Sequence, residues 1–283
     1  MRTTMRVAPF ILAVLIALAP SSAGAQQPSA LEPGTHEPSA EDTEALAKKA
    51  QNPIADLISF PVQTNTNFNV GPLNGTQEVI NIQPVIPITL NDDWNVITRW
   101  ITPLIYQPQF GPMQGSAFGL GDIQPSFFFS PSGGGDLIWG IGPTVVLPTA
   151  TNRVLGQGKV SPGPTAVIVY TPGPWVLGAL ANNVWSVGGD SHRPSVNQGL
   201  LQPFINYNLE GGWYLATSPI ITANWRATAG NTWTVPLGGG GGRLIRIGGL
   251  PINISLQAYG NAVSPTGGPD WTIRFQVQAL FPK

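Results

Sequence analysis

The sequence predicts an all-β fold, a transmembrane antiparallel β-barrel of about 12 strands with a short helical or disordered N-terminal segment. Three observations lead to this fold class. Charged residues make up only 10% of the 283 residues, while hydrophobic residues make up 42%. From residue 57 onward, apolar and polar residues alternate with a period of two, as in β-strands with two different faces. The chain also begins with an export signal.

The first 25 residues are predicted to be a secretory signal peptide. Arg2 and Arg6 supply its positive start, residues 7–19 form a short apolar stretch, and Ala23-Gly24-Ala25 provides the cleavage site before Gln26. Because a membrane-spanning helix needs about 20 apolar residues, this shorter stretch favours cleavage over anchoring. Cleavage removes two arginines and changes the formal charge from −1 to −3, which argues against a nucleic-acid partner.

The composition excludes other classes of protein. The chain has no cysteine, so it is not a disulfide-bonded scaffold. No uncharged apolar run of about 18 residues follows the signal peptide, which excludes a helical membrane protein. A barrel needs apolar residues toward lipid and polar residues toward its lumen, and this chain has that mixture. A soluble secreted β-propeller or β-sandwich is the alternative, but its surface would need more charge.

Residues 26–56 are predicted to lie in the periplasm or to plug the barrel lumen. Residues 26–40 are rich in Pro, Ser and Glu and are expected to be disordered. Residues 41–50 have the composition of a short helix that ends before Pro53. If this segment enters the barrel mouth, Asp56 is the candidate for a contact with charges in the lumen.

The barrel is predicted to span residues 57–283, and its last strand shows the alternation best. The apolar face of this strand carries Trp271, Ile273, Phe275, Val277, Ala279 and Phe281, and the opposite face carries Thr272, Arg274, Gln276, Gln278 and Leu280. A shift of one residue would place Arg274 in hydrocarbon, at a cost of about 2–4 kcal/mol near the midplane of the bilayer. The alternation therefore fixes which face meets lipid.

The same pattern predicts twelve strands. They cover residues 57–69, 78–90, 94–106, 119–130, 137–148, 162–171, 175–186, 197–209, 213–225, 231–241, 250–262 and 270–281. An even number places both chain ends on the periplasmic side. Five consecutive glycines, residues 238–242, weaken a strand interior, so ten strands are the alternative.

Short turns alternate with longer connections, as in outer-membrane barrels. A tryptophan follows each of four short turns, and indole side chains favour the interface between membrane and water. The sequence therefore predicts two aromatic girdles, with Trp94, Trp139, Trp175 and Trp213 on the periplasmic side and Trp225 and Trp271 on the outer side.

Prolines recur inside the predicted strands, although each proline removes a backbone donor from the sheet. Gln83-Pro84, Gln124-Pro125 and Gln202-Pro203 each lie early in a strand, with Gly163-Pro164 in the equivalent place between them. Two interpretations remain open. The prolines form bulges or lie near the rims, or they leave local gaps in the wall through which an apolar solute could leave sideways.

Several segments resemble a bacterial outer-membrane channel family that is linked to the meta-pathway of phenol degradation. Its members are often labelled "transporter" or misnamed "neuromedin U". The similar segments are residues 52–61 (NPIADLISFP), 81–87 (NIQPVIP), 118–122 (FGLGD) and 280–283 (LFPK). The resemblance implies a twelve-stranded barrel, passage of small hydrophobic or aromatic compounds, and an N-terminal segment that partly occludes the lumen.

The sequence shows no set of residues that would form an enzyme active site, and it predicts neither enzymatic activity nor a metal ion or other cofactor. His36 and His192 are far apart, and Asp190-Ser191-His192 are neighbours on one predicted loop, where the geometry of a hydrolase triad is rare.

Three charged residues are instead predicted to face the lumen: Arg99, Asp122 and Arg274. Charges in a narrow lumen can set ion preference. The alternative is that they pair with each other or with the N-terminal segment and only fill the interior.

The sequence thus predicts a passive bacterial outer-membrane channel for small solutes. The expected partners are outer-membrane lipid, the solute and, during biogenesis, the barrel-assembly machinery. A barrel of about twelve strands lies between filled eight-stranded barrels and water-filled porins of sixteen or more strands, so a narrow or partly plugged pore is expected. The alternative is a structural or adhesive outer-membrane barrel without transport activity.

Overall fold

The computed structural model describes residues 40–111, 115–133 and 135–282. The predicted signal peptide and the predicted disordered segment up to residue 39 lie outside these ranges. Helix α1 covers Ala40–Gln51, which confirms the predicted short helix. None of the helices within these ranges is long and apolar enough to span a membrane.

Within the same ranges, twelve β-strands form a closed antiparallel barrel, as predicted. The strands are β1 (Ile58–Val70), β2 (Gly75–Ile82 and Val85–Thr89), β3 (Trp94–Gln107), β4 (Ala117–Leu120 and Gln124–Pro131), β5 (Leu137–Val146), β6 (Lys159–Tyr170), β7 (Trp175–Trp185), β8 (Asn197–Asn208), β9 (Trp213–Thr217 and Ile221–Asn224), β10 (Trp233–Ile247), β11 (Leu250–Val263) and β12 (Trp271–Phe281). Two short elements accompany them: Gly188–Gly189, which pairs with β6, and a 3-10 turn at Glu210–Gly212.

The last strand closes the barrel on the first. The register of β1 with β12 runs without a break from Ile58 opposite Phe281 to Phe68 opposite Trp271. Each strand also pairs with its neighbours in sequence. Closure leaves no free sheet edge, which a strand in lipid could not tolerate because its backbone groups would lack partners.

The glycine run does not end its strand, so the alternative of ten strands is wrong. Strand β10 continues through the five glycines to Ile247 and pairs with β11 along its length. The predicted boundary at residue 241 is therefore also wrong. A two-residue turn, Gly248-Gly249, follows with φ angles of +57° and +84°, the left-handed conformation that a tight hairpin of this kind requires.

The two faces of the wall differ as the alternation predicts. In β12, Arg274 is 6% exposed and points inward, while the adjacent Phe275 is 44% exposed and points outward. In β2, Gln83 is buried, and Ile86 and Ile88 are exposed on the outer surface. The outer surface is thus apolar and the interior largely polar.

The barrel has two different ends. The terminal end carries the start of β1, the end of β12 and the short turns between strands, such as residues 171–174. The loop end carries the longer connections, including residues 147–158 between β5 and β6. Short turns and long loops therefore alternate as the sequence indicates.

Wall pairing is weakest at two places, between β4 and β5 and within β9. Between β4 and β5 the matched residues are few, namely Ile123–Leu147, Ser126–Thr144 and Phe129–Ile141. Strand β9 is interrupted at residues 218–220, and its pairing with β10 stops at Ala216 and resumes at Thr222. The register is the same on both sides of that interruption, so the strand continues after a local departure from the ladder.

Candidate functional site

The lumen holds a cavity of about 140 Å³, here called the central cavity. Most of its lining is amide, hydroxyl or guanidinium, contributed by strands around the barrel and by the residues after α1. The lining includes Gln51, Asn52, Gln63, Gln83, Val85, Arg99, Leu180, Gln202, Phe204, Asn206, Tyr214, Ser218, Asn253, Ser255, Gln257, Arg274, Gln276 and Gln278. Such a surface can bind polar solutes through many weak hydrogen bonds.

Arg99, from β3, lines the central cavity. Its Nη2 donates a hydrogen bond to Gln83 Oε1 at 2.6 Å. Arg99 lies opposite Val85 in the neighbouring strand, and Val85 lies opposite Ser59 in β1. The guanidinium is thus held against the β2 side of the wall by a neutral partner.

Arg274, from β12, also lines this cavity and crosses toward β9. Its Nε donates to Asn65 Oδ1 at 3.0 Å, and its Nη1 donates to the backbone oxygen of Ser218 at 2.8 Å. The guanidinium carbon lies 4.8 Å from the ring centre of Tyr259, within the range of a cation–π contact. The interruption of β9 at Ser218 therefore brings a backbone carbonyl to the arginine.

Asp122 lies elsewhere, at the break in β4. The backbone N–H groups of Ala150 (3.2 Å) and Gln157 donate to its carboxylate, which ties the 147–158 loop to the wall. The side chain lies in a separate cavity at the loop end and not with the two arginines. The structure thus brings together Arg99 and Arg274, but not Asp122.

The 147–158 loop lies over the inner face of β4. Gly119 is paired with Ile105. Ile105 is six residues from Arg99 in β3, so both side chains, and the position of Gly119, face inward. Leu155 is only 5% exposed, and its Cδ1 would lie 3.3 Å from a Cβ on Gly119. The glycine leaves room for this loop, which narrows the lumen at the loop end.

Helix α1 and the residues after it pack against the inner side of the wall at the terminal end. Leu46, Ala47 and Ala50 pack with Leu244 and Leu280 from the wall. Ile54 is 2% exposed and belongs to a second apolar cluster on the inner side of β2–β8, with Val85, Ile97, Phe128, Val167, Val169, Val176, Leu180 and Phe204. Asp56 is exposed and is not among the residues that line the central cavity.

Hydrogen bonds also hold this segment in place. Gln51 Nε2 donates to Asn208 Oδ1 at 2.7 Å, and the backbone N–H of Ile54 donates to Asn52 Oδ1 at 2.9 Å. The second bond forms a turn that aims Ile54 into the apolar cluster.

The six predicted girdle tryptophans are all exposed, between 37% and 51%. Trp94, Trp139, Trp175 and Trp213 lie at the terminal end, and Trp225 and Trp271 lie at the loop end. Trp94 and Trp139 make an edge-to-face contact with ring centres 6.0 Å apart, and Trp271 stacks on Phe68 at 3.9 Å. Exposed indole rings therefore lie on the outer surface at both ends of the barrel.

Tyr214 also lines the central cavity and was not predicted from the sequence; its hydroxyl donates to Asn253 Oδ1 at 2.8 Å. The ring of Tyr214 crosses β10 at Gly242, where a Cβ would collide with it. Two features of the sequence could have indicated these cavity residues. They are the glycine run, which leaves space for the Tyr214 ring, and the repeated Gln-Pro pairs. Gln83 and Gln202 from those pairs line the central cavity.

Comparison with known proteins identifies the fold. No protein-family model matches the sequence, and no curated protein matches it. Among solved structures, an outer membrane channel from Pseudomonas putida F1 is similar with a TM-score of 0.62 and 14% identity, over 80% of this chain and 96% of that chain. The chain has the fold of an outer-membrane β-barrel. At this identity the likeness shows the fold alone.

A second solved structure corrects one prediction. Outer membrane phospholipase A from Escherichia coli is similar with a TM-score of 0.43 and 11% identity, over 85% of this chain and 98% of that chain. That protein is an enzyme, so a β-barrel of this kind does not exclude enzymatic activity. The prediction that this chain is not an enzyme is therefore wrong. At this TM-score the likeness carries no argument for any particular activity.

Proposed function

We propose that this protein is a passive channel for small solutes in the bacterial outer membrane. The observation that carries the proposal is the central cavity, a polar space inside a barrel whose outer surface is apolar. The Pseudomonas putida protein with a similar fold is itself an outer membrane channel.

In the proposed arrangement in the outer membrane, the signal peptide is cleaved after Ala25 and the barrel-assembly machinery inserts residues 57–283. Lipid then contacts the apolar outer surface. The terminal end faces the periplasm. The N-terminal segment, residues 26–56, acts as a plug through its described part, residues 40–56, with Asp56 at the exposed edge, and the tryptophans anchor the barrel at both interfaces.

The proposed solutes are small compounds, including hydrophobic or aromatic ones. This narrower part rests on the family resemblance and on the apolar side of the central cavity, where Val85, Leu180 and Phe204 are exposed to the same space as the polar groups. These residues could contact a ring or an alkyl group while the amides bind its polar substituent.

The test is conductance of the purified protein in planar bilayers. Folded protein is first identified by a gel mobility that changes on heating. We expect small discrete current steps from the full mature chain, because both ends of the lumen are narrowed. If protein shown to be folded carries no current, and none after residues 26–56 are removed, the channel proposal is wrong and a structural barrel is favoured.

A further inference from the structure

The central cavity carries positive charge without a matching negative charge. Arg99 and Arg274 both line it, and its lining contains no Asp or Glu among the described residues. The acceptors of their hydrogen bonds are amide, hydroxyl and backbone oxygens. The two guanidinium groups are therefore held by neutral partners.

Neutral partners position a guanidinium but do not cancel its charge. Arg99 bonds to an amide oxygen of Gln83, and Arg274 bonds to an amide oxygen of Asn65 and to Ser218. A buried charge without a counter-charge is costly, and a bound anion would remove that cost. Rings of arginine and lysine are also the usual means by which pores select anions.

Donors remain for such an anion. A guanidinium has five N–H groups in a planar fork. Among the described residues, Arg99 donates to one acceptor, and Arg274 donates only from its Nε and Nη1. A carboxylate can accept two parallel hydrogen bonds from one guanidinium, which makes it a strong and specific partner.

The carboxylate predicted to lie in the lumen does not compensate the arginines. Asp122 accepts its hydrogen bonds from the backbone of the 147–158 loop, and it lines the separate cavity at the loop end. Its charge is thus used to fix a loop, and the central cavity keeps its positive character.

The cavity also has an apolar side close to Arg99. Val85 lies directly opposite Arg99 across the β2–β3 pair, and Val85 belongs to the apolar cluster that includes Leu180 and Phe204. The volume of about 140 Å³ is close to that of an engineered cavity of about 150 Å³ that binds benzene. A ligand of that size with one charged end fits both surfaces.

We infer that the central cavity is a binding site for small organic anions, in which a carboxylate is bound by Arg99 or Arg274 and an apolar group contacts Val85, Leu180 and Phe204. The site makes the channel selective for anions. This inference rests on the proposed function for its transport part, whereas the binding part stands by itself.

Two measurements test it on the full mature chain. The first is calorimetric titration of detergent-solubilised, folded protein with benzoate and with its neutral analogue benzamide. We expect benzoate to bind at least about tenfold more tightly, because a charge-assisted pair contributes about 1.5–3 kcal/mol. The second is the ratio of chloride to potassium permeability in planar bilayers, which we expect to exceed one and to fall when benzoate occupies the site.

Four variants locate the effect. Arg99→Gln and Arg274→Gln should each weaken benzoate binding and lower the permeability ratio toward one. Arg274→Lys should keep the anion preference but weaken benzoate binding, because an ammonium lacks the planar fork. Arg243→Gln is the matched control: Arg243 belongs to β10, stacks over Trp213 and is not among the cavity residues, so neither measurement should change.

The outcomes separate the two proposals. Benzoate binding without any current would overturn the proposed channel and leave the anion site intact. Current with a permeability ratio at or below one, or equal binding of benzoate and benzamide, would overturn the anion site and leave the channel intact. If a glutamine variant fails to fold, the comparison of benzoate with benzamide on the unmodified chain still decides.

Discussion

The two ends of the lumen are narrowed by segments that are held in different ways. At the terminal end, residues 46–57 are packed by apolar side chains, with Leu46, Ala47 and Ile54 all less than 9% exposed. At the loop end, the 147–158 loop is held by polar bonds: Asp122 accepts from two backbone N–H groups, and Arg193 donates to the backbone oxygen of Gln157 at 3.0 Å.

This difference indicates which end opens more easily. Apolar packing is stabilised by the whole contact area, at about 25 cal/mol per Å², and its removal exposes that area at once. A few charge-assisted hydrogen bonds contribute about 1.5–3 kcal/mol each, and water can replace them at an exposed loop. We therefore expect the loop end to fluctuate and the terminal end to remain closed until its apolar contacts are broken.

The largest effect is expected from a charge placed in the segment that we propose to plug the terminal end. Leu46→Asp would bury a carboxylate in the cluster with Leu244 and Leu280, at a cost of several kcal/mol, so the segment should leave the barrel. Single-channel conductance should then rise at least about twofold, since the pore loses an obstruction. Ala45→Asp is the control, because Ala45 is exposed on the same helix. Equal conductance in both variants would contradict a plug at this end.

A smaller effect is expected from a loss of volume at the same end. Ile54→Ala removes a side chain that is 2% exposed within the apolar cluster, and such changes cost about 2–5 kcal/mol. The temperature at which heating changes the gel mobility should fall. Ile88→Ala is the control, since Ile88 is 48% exposed on the outer surface. An equal fall in both would show that Ile54 is not part of a packed plug.

A still smaller effect is expected at the loop end. Asp122→Asn keeps one acceptor oxygen and loses the charge, so one of the bonds from Ala150 and Gln157 is lost and the other weakens, at a cost of about 1–2 kcal/mol. Amide hydrogen exchange of residues 149–158 should become about tenfold faster, because roughly 1.4 kcal/mol corresponds to tenfold. Asp136→Asn, in a turn at the terminal end, should leave that exchange unchanged. Unchanged exchange in Asp122→Asn would mean that other contacts hold the loop.

The sequence predicted which faces of the strands point inward, but not where every strand ends. Alternation in β12 placed Arg274 inside and Phe275 outside, because a period of two leaves only two choices for a strand with one apolar face. The continuation of β10 through five glycines was not predictable from local propensity, since the pairing with β11 and the ring of Tyr214 decide it. Such contacts join residues that are far apart in the sequence, so they cannot be predicted from one segment alone.

The candidate site was predictable only in part. The alternation of apolar and polar residues predicted that Arg99 and Arg274 face the lumen. It could not show that these two arginines share one cavity while Asp122 lines another. Asp122 lies where the register of β4 against β3 changes by one residue, between the pairs Leu104–Leu120 and Ile101–Gln124. A bulge inserts one residue and redirects the side chain, and its position depends on which backbone partners the loop offers.

The smallest effect concerns how the loop end responds to acid. The backbone N–H of His192 donates to Asp190 Oδ1 at 2.9 Å, and this bond is the main reason why the pKa of Asp190 is lowered. A carboxylate with a lowered pKa contributes stability above its ordinary value and loses it only as the pH falls through the lower, folded value. The turn at residues 190–192 should therefore persist at pH values where a free aspartate is already protonated.

The cause can be tested with one substitution. His192→Ala keeps the backbone N–H and removes the imidazole, whose Nδ1 lies 3.2 Å from Asp190 Oδ1. If the main-chain bond dominates, an NMR titration should find the pKa of Asp190 still below its ordinary value in the variant. A return to the ordinary value would assign the shift to the imidazole.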